Sequence, residues 1–476
     1  MPTGSKVPLE FKKSISDPIY GTVPLTELEL KIIDTQVFQR LRHVGQLGLA
    51  NYVFPSADYS RFAHSIGACH TMGQILSRLE AQKAPGDRLT DDEFQFRRVA
   101  MLLHDIGHYF MSHAAEYALE AYQDSLAVAS LKPGVTSLGK PTTFDYIDHE
   151  QVGKLILESD PELSPIIRSL QSDGKAADRL AAMFKGAFDE TYWSLVSSEL
   201  DADRLDYLMR SSQATGLPYG HFDRDYIIQN LVTDKKERVC LHAKAIRAAD
   251  HYVMCRSFDY LQVIFHKTIV GFEEMLKRCI RHLLETGTLR LGRGDLEASV
   301  KSSAWLGYTD AWLMDQIRNI SAADPIVLAM RDRLIKRKPA TMMWSHEELI
   351  GTRKEEAKLT WHRQLGHYFD DSDPAWTKNC LYWFKHFRPT DASPFQTTFK
   401  KEAKDEENKE KSIHILGRKG SAKPLTEWKE SFTRHLSNQA YVMVRVYYVG
   451  PPSDEAATKV EFEKLMKSLK FGDGLR

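Results

Sequence analysis

His104 and Asp105 stand side by side at the end of the apolar run Val99-Ala100-Met101-Leu102-Leu103. An imidazole and a carboxylate are poorly placed there as core residues. A buried carboxylate needs a partner, and a metal ion is an economical one. His64 lies upstream in Arg61-Phe62-Ala63-His64-Ser65, and Asp203 downstream in Asp201-Ala202-Asp203-Arg204. Two imidazoles and two carboxylates form a mixed donor set. It would accept Mn, Fe, Co, Zn or Mg and leave positions open for water and substrate. Asp203 falls with Val196, Leu200 and Tyr207 on one stripe of a helix expected over 190–212. Alone, that carboxylate reads as the partner of a buried arginine. Beside His64, His104 and Asp105 it reads as a ligand.

A second group surrounds the first. His108 and His113 follow the pair closely, and His149 opens the helix expected over 148–158. A histidine can protonate a leaving group near neutral pH, and when charged it can clamp phosphate. Each alone reads as an ordinary surface or core histidine, whereas three around a His-Asp pair read as a cluster. A turn at Gly107 would bring His108 and His113 near the pair. Glu116, one helical turn after His113, is placed to orient its ring.

The elements that must position these groups are mainly helical. Three-to-four spacing of apolar residues begins at Thr26–Gly48. It predicts helices over 62–83, 91–106, 112–129, 148–158, 176–187, 190–212, 224–230, 243–286 (with a break allowed) and 309–319. Only 238–242 reads as a strand there, and residues 1–30 read as turn and extended structure. After about Lys336 tryptophans cluster at Trp344, Trp361, Trp376 and Trp383. Lys400–Lys411 is a charge run, Ala440–Val449 reads as a strand, and 454–469 as a closing helix. The expectation is a mainly α fold in two parts. Residues 1–335 form a domain with a helical core over about 26–290, and residues 336–476 a smaller C-terminal α+β region with a regulatory or oligomerisation role.

Composition sets bounds. The 476 residues carry 64 basic and 64 acidic side chains, with 42% hydrophobic and 27% charged residues. Zero net charge argues against a chain built to bind polyanions, so a nucleic-acid role is not favoured, but it leaves room for a local basic pocket. Five scattered cysteines without a CxxC pair argue against structural disulfides and a zinc ribbon. No signal-peptide-like segment and no run of 18 apolar residues is present, so a cytoplasmic protein without a membrane span is expected.

Seven segments resemble one family in order: DPIYG from Asp17, IIDTQVFQRLRHVGQLG from Ile32, YVFPSADYSRFAHSIG from Tyr52, LLHDIGHYFMSH from Leu102, DHE from Asp148, ELDADRLDYLMR from Glu199 and CRSFDYLQVIFHK from Cys255. They resemble the HD-domain deoxynucleoside triphosphate triphosphohydrolases, which include bacterial dGTPase-like enzymes and the mammalian SAM- and HD-domain enzyme. The resemblance covers about residues 10–290. It implies an all-helical HD phosphohydrolase core and a divalent metal on His64, His104, Asp105 and Asp203. The implied reaction is hydrolysis at the α-phosphorus to deoxynucleoside and intact triphosphate, with Mg accompanying the nucleotide. His113 would be the general acid and Glu116 its support. His108 and His149 would lie on the phosphate side.

The same resemblance assigns Arg61, Arg204 and Arg256 to phosphates, Gln46 and Leu47 to base and sugar, and Tyr207 to the sugar. Ser211 stands where the family often has an Asp at the sugar hydroxyl, and Ile264 where some members place a Tyr. Lys13, Asp34, Gln39 and Arg42 match in type an activating nucleotide site at subunit contacts. The plain reading of that stretch is a structural helix with Asp34 as a cap and Arg42 packing. A homo-oligomer is expected by analogy, serving nucleotide-pool control or antiviral defence. The alternatives are an HD phosphohydrolase acting on a nucleoside monophosphate or cyclic nucleotide, and a non-catalytic nucleotide sensor or binder of single-stranded nucleic acid.

Overall fold

The computed structural model describes residues 9–130, 144–186, 192–351, 360, 362, 364–366, 368–369, 375–388, 411–417 and 420–469. An antiparallel hairpin opens it, β1 (Phe11–Asp17) and β2 (Gly21–Thr26). Its turn needs Gly21, whose φ of +72° is left-handed. Thr26 and Glu29 then form a capping box that starts α1 (Glu27–Ile33). The Thr35 hydroxyl accepts the Phe38 N–H and starts α2 (Gln36–Gln39), and Arg40–His43 is a 3₁₀ turn. The helix expected over Thr26–Gly48 is thus broken by a second cap. That cap is Thr35, while Asp34 ends α1.

The core is built from α3 (Arg61–Glu80), α4 (Asp91–Leu103) and α5 (His113–Ser130). Then come α6 (His149–Ser159), α7 (Leu163–Arg168), α8 (Ala176–Phe184), α9 (Ala202–Thr215) and α10 (Arg224–Gln229). They are followed by α11 (Ile246–Asp259), α12 (Lys267–Glu285), α13 (Arg293–Lys301), α14 (Asp310–Arg318) and α15 (Pro325–Ile335). Helix α3 packs against both α4 and α9. Val99, Met101, Leu102 and Leu103 are all 0% exposed. Burying such side chains contributes about 1.5–3 kcal/mol each, and this fixes where His104 emerges at the end of α4.

One helix differs from its expectation in a way that matters. Residues 190–212 are not one helix: Trp193–Leu195 is a 3₁₀ turn, and α9 begins at Ala202. Asp201 is the reason, because its side chain accepts the Arg204 N–H and caps the start. Val196 and Leu200 therefore do not share a helical stripe with Asp203. Asp203 sits instead in the first turn of α9. The break allowed within 243–286 is a π turn over Tyr260–Ile264 between α11 and α12.

Beyond α15 a three-stranded antiparallel sheet has the order β5 (Thr341–Gly351), β9 (Gln439–Tyr448), β6 (Cys380–Phe387). A second sheet joins the two halves of the chain: β3 (Leu231–Thr233), β4 (Val239–His242), β7 (His414–Leu416) and β8 (Ala422–Pro424). The closing helix is Glu455–Ser468. Tyr447 and Val449 belong to the main hydrophobic core, and the Tyr447 hydroxyl donates to Lys267 O at 2.6 Å. The strand expected over Ala440–Val449 is β9. Trp361 and most of the charge run, Lys400–Glu410, lie outside the described residues. The fold is mainly α with a small sheet appendage.

Candidate metal centre and the imidazole cluster beside it

Three elements deliver the four expected ligands to one point. His64 comes from the first turn of α3, His104 and Asp105 from the end of α4, and Asp203 from the first turn of α9. The donor atoms of His64, His104 and Asp105 all lie within 4.8 Å of one another. Asp203 Oδ1 approaches His64 Nε2 at 2.9 Å and His104 Nε2 at 3.6 Å. The two Nε2 atoms are 3.3 Å apart.

The hydrogen bonds behind the rings test whether these residues suit a cation. His64 Nδ1 lies 2.8 Å from Asp206 Oδ2, and His104 Nδ1 lies 2.7 Å from Met101 O. Both acceptors require a proton on Nδ1, so each Nε2 presents a lone pair inward, as a metal-ligating histidine does. The donor set fits a divalent ion. Without one, a proton takes its place: burial would depress His64, but bonds to Asp203 and Asp206 hold it up at about 10. Burial would raise the Asp105 carboxyl, but Arg61, His104 and His108 hold it well below the usual range.

Asp105 links this centre to the second cluster through His108 Nε2, 3.3 Å from its Oδ1. There the geometry is inverted. His113 Nδ1 and His149 Nδ1 point to the two oxygens of Glu116, at 2.9 and 2.7 Å. The His108 and His149 rings stack at 3.8 Å and 15°. Nearly parallel rings direct their lone pairs along separate planes, so one ion cannot lie in both. The group suits a proton better than a second metal. Burial would depress His149, but Glu116 holds it up at about 9. Burial, with Arg61 and His149 nearby, pushes His108 far below its ordinary value. Of the three rings His113 is the most open, 39% exposed.

Close approaches fix this arrangement. A Cβ on Gly107 would meet His149 O at 2.1 Å and Gly153 N at 2.3 Å. Met111 and Ser112 both adopt positive φ, 51° and 52°, a conformation costing about 1–3 kcal/mol for each non-glycine residue. Asp310 holds Met111 there, accepting the N–H groups of Met111 and Gly45 at 2.6 and 2.8 Å, and the Ser112 hydroxyl donates to Gly45 O at 2.7 Å. Arg40 braces the same loop by donating to His108 O while lying 4.2 Å over the Trp305 ring. Asp206, Asp310 and Arg40 escaped the sequence reading, since their partners lie up to 268 residues away. The spacing of Asp203, Asp206 and Arg210 along one helix face was the available signal for Asp206.

Of the remaining expected residues, Arg61 bonds directly to a residue of the centre. Arg61 Nη1 lies 2.5 Å from Asp105 Oδ2 and its Nε donates to Ser112 Oγ at 2.9 Å. Arg204 donates to Ser198 O and to Asp201. Arg256 is 1% exposed, and its Nη2 has no hydrogen-bond partner among the described residues. Gln46 Oε1 is likewise buried without one, and Leu47 beside it is half-buried. Tyr207 is half-buried in the field of Tyr260 and Arg204. Ser211 is 0% exposed and shares a 2.7 Å hydrogen bond with the Tyr59 hydroxyl. Ile264 lies in the π turn. Lys13, Asp34 and Arg42 are exposed. Arg42 lies 3.5 Å over the Phe62 ring and donates to Gln39 Oε1 at 2.7 Å.

All five cysteines are unpaired and buried. No helix among the described residues is long and apolar enough to cross a membrane.

No family model matches the chain. It is 29% identical to the uncharacterized protein YwfO of Bacillus subtilis over 273 residues, covering 57% of this chain and 56% of that protein. A shorter stretch of 104 residues is 42% identical to the deoxynucleoside triphosphate triphosphohydrolase SAMHD1 homolog of Dictyostelium discoideum, covering 22% of this chain and 20% of that one. The chain spans about half the length of the curated relatives it matches over longer stretches. Among solved structures, a phosphohydrolase from Bacteroides thetaiotaomicron superposes with a TM-score of 0.64 at 22% identity, over 92% of this chain and 99% of that one. The chain is thus similar in part of its sequence to the HD-domain deoxynucleoside triphosphate triphosphohydrolases, and it shares its fold with a phosphohydrolase.

Proposed function

We propose that the protein is a metal-dependent HD-domain phosphohydrolase that cleaves deoxynucleoside triphosphates to deoxynucleoside and inorganic triphosphate. The observation that carries the reading is the inward convergence of His64 Nε2, His104 Nε2, Asp105 and Asp203, with each imidazole locked from behind. A divalent cation bound there supplies Lewis-acid stabilisation of phosphoryl oxygens and acidifies water. Partial identity to proteins named as dNTP triphosphohydrolases supports the substrate class.

The chain's own residues then divide the work. Asp105 and Asp203 flank the attacking water. As its oxygen bonds to the α-phosphorus, the proton the water loses passes to the Asp203 carboxylate and on to solvent, and the bond from phosphorus to the 5′-oxygen breaks. The leaving oxygen takes a proton from His113 Nε2, whose Nδ1–H stays on Glu116. Arg256, whose buried Nη2 has no hydrogen-bond partner among the described residues, would take phosphate charge alongside Arg61 and Arg204. Gln46, whose buried Oε1 has no partner among the described residues, would contact the base or sugar, and Ser211 would replace a charged contact by a hydroxyl already shared with Tyr59.

The test is product analysis by ion-pair chromatography after incubation with each dNTP, singly and mixed, with Mn²⁺ or Mg²⁺. The expected products are deoxynucleoside and intact triphosphate, abolished by chelator and restored by metal. Turnover only in mixtures would show an activating nucleotide. Monophosphate and pyrophosphate would mean that a different bond is cleaved. No turnover under any combination would overturn the reading.

A further inference from the structure

Behind the proposed metal centre, every oxygen of one buried carboxylate is engaged. Asp206 is 0% exposed. Its Oδ2 accepts from His64 Nδ1 at 2.8 Å and from Arg210 Nε at 3.0 Å. Its Oδ1 accepts from Arg210 Nη2 and from the Tyr20 hydroxyl, each at 2.8 Å. Arg210 comes from the next turn of α9, but Tyr20 comes from the hairpin, 186 residues away. Arg210 Nη1 in turn donates to Asp17 Oδ2 at 3.0 Å. The other oxygen of Asp17 accepts the N–H groups of Ile19 and Tyr20, so the same carboxyl shapes the turn that aims Tyr20. The wall of α3 is equally close. A Cβ on Gly67 would lie 2.0 Å from Asp206 Oδ1 and 2.2 Å from Arg210 Nη2.

A buried ion network is weak evidence for stability, because desolvation offsets the attraction. What this one supplies is direction. With four donors around it, the Asp206 carboxylate cannot rotate. The proton on His64 is held at Nδ1, and Nε2 is turned toward His104 and Asp203. We infer that Asp17 and Tyr20, in the N-terminal hairpin, are positioning residues of the metal centre, acting through Arg210 and Asp206 on the ring of His64. The inference rests on the proposed role of His64 as a metal ligand.

The experiment is Mn²⁺ binding to the full chain, without nucleotide, measured by competition with a chromophoric chelator. Tyr20→Phe removes one hydroxyl, and Asp17→Asn keeps the turn-forming oxygen while removing the charge facing Arg210. Each should weaken Mn²⁺ binding by about 10-fold or more, as outer-shell partners of metal ligands do. The double variant should fall short of the product of the two effects, because both act through one carboxylate. Ser14→Ala, an exposed hairpin position, should bind like the wild type. Should Asp17→Asn fail to fold, Tyr20→Phe carries the test alone. Lowered melting temperatures with Mn²⁺ affinity within twofold of wild type would overturn the inference and leave the metal centre standing. A wild-type chain that binds no Mn²⁺ would remove both.

Discussion

The two imidazole groups on either side of Asp105 use the same residue types to opposite ends. In the first, His64 and His104 spend Nδ1 on acceptors behind them, and their Nε2 atoms face each other at 3.3 Å. In the second, His113 and His149 spend Nδ1 on Glu116 in front of them, and His108 stacks on His149. Lone pairs that converge call for a cation. Ring protons that converge on a carboxylate hold that charge in place, and the outer nitrogen of the open ring, His113 Nε2, exchanges a proton in the proposed reaction. The residue type does not decide between these roles. The atom that each Nδ1 meets does.

Breaking the first cluster should have the largest effect. Asp203→Ala should abolish both Mn²⁺ binding and turnover while circular dichroism stays near wild type, and full activity in that variant would erase the distinction between the clusters. His113→Ala should keep the metal and lose about 10²–10⁴-fold in turnover. A loss under threefold would demote it to a bystander. Gly67→Ala forces a methyl group against Asp206 and Arg210. It should cost about 1–3 kcal/mol of stability, the usual cost of overpacking, read from denaturant unfolding. An unchanged midpoint would mean that α3 can move away from α9.

The smallest effect is a slope. The His149 pKa is held up at about 9 by Glu116 against the pull of burial, where an ordinary histidine titrates near about 6.5. A raised folded-state pKa stabilises the fold fully below the unfolded value and loses that contribution as pH rises through the folded one. The wild-type melting temperature should therefore fall between about pH 6.5 and 9. Glu116→Gln should flatten that fall. Identical slopes in the two proteins would mean that the second cluster stores no proton.

Much of this site is legible in order along the chain. The run ending in Leu103 is fully buried, which places His104 and Asp105 at a helix end, and Glu116 reaches His113 as helical spacing predicts. Val196 and Leu200 carry an apolar period that suggests one helix over 190–212, but the local cap at Asp201 outweighs it. Strands β5 and β6 escaped detection because they are half-buried, and much of what would mark them is their pairing with β9.

The sequence by itself determined the candidate ligand types, their order and the helical scaffold, since these depend on residue chemistry and on periods of three to four residues. Only the tertiary structure decided which imidazole nitrogen points inward and that the hairpin of Asp17 and Tyr20 stands behind His64. It also decided that β7 extends a sheet begun by β3 and β4. Hydrogen bonds across 186 or 193 residues leave no local period in the chain. They exist only once buried surfaces have brought those segments together.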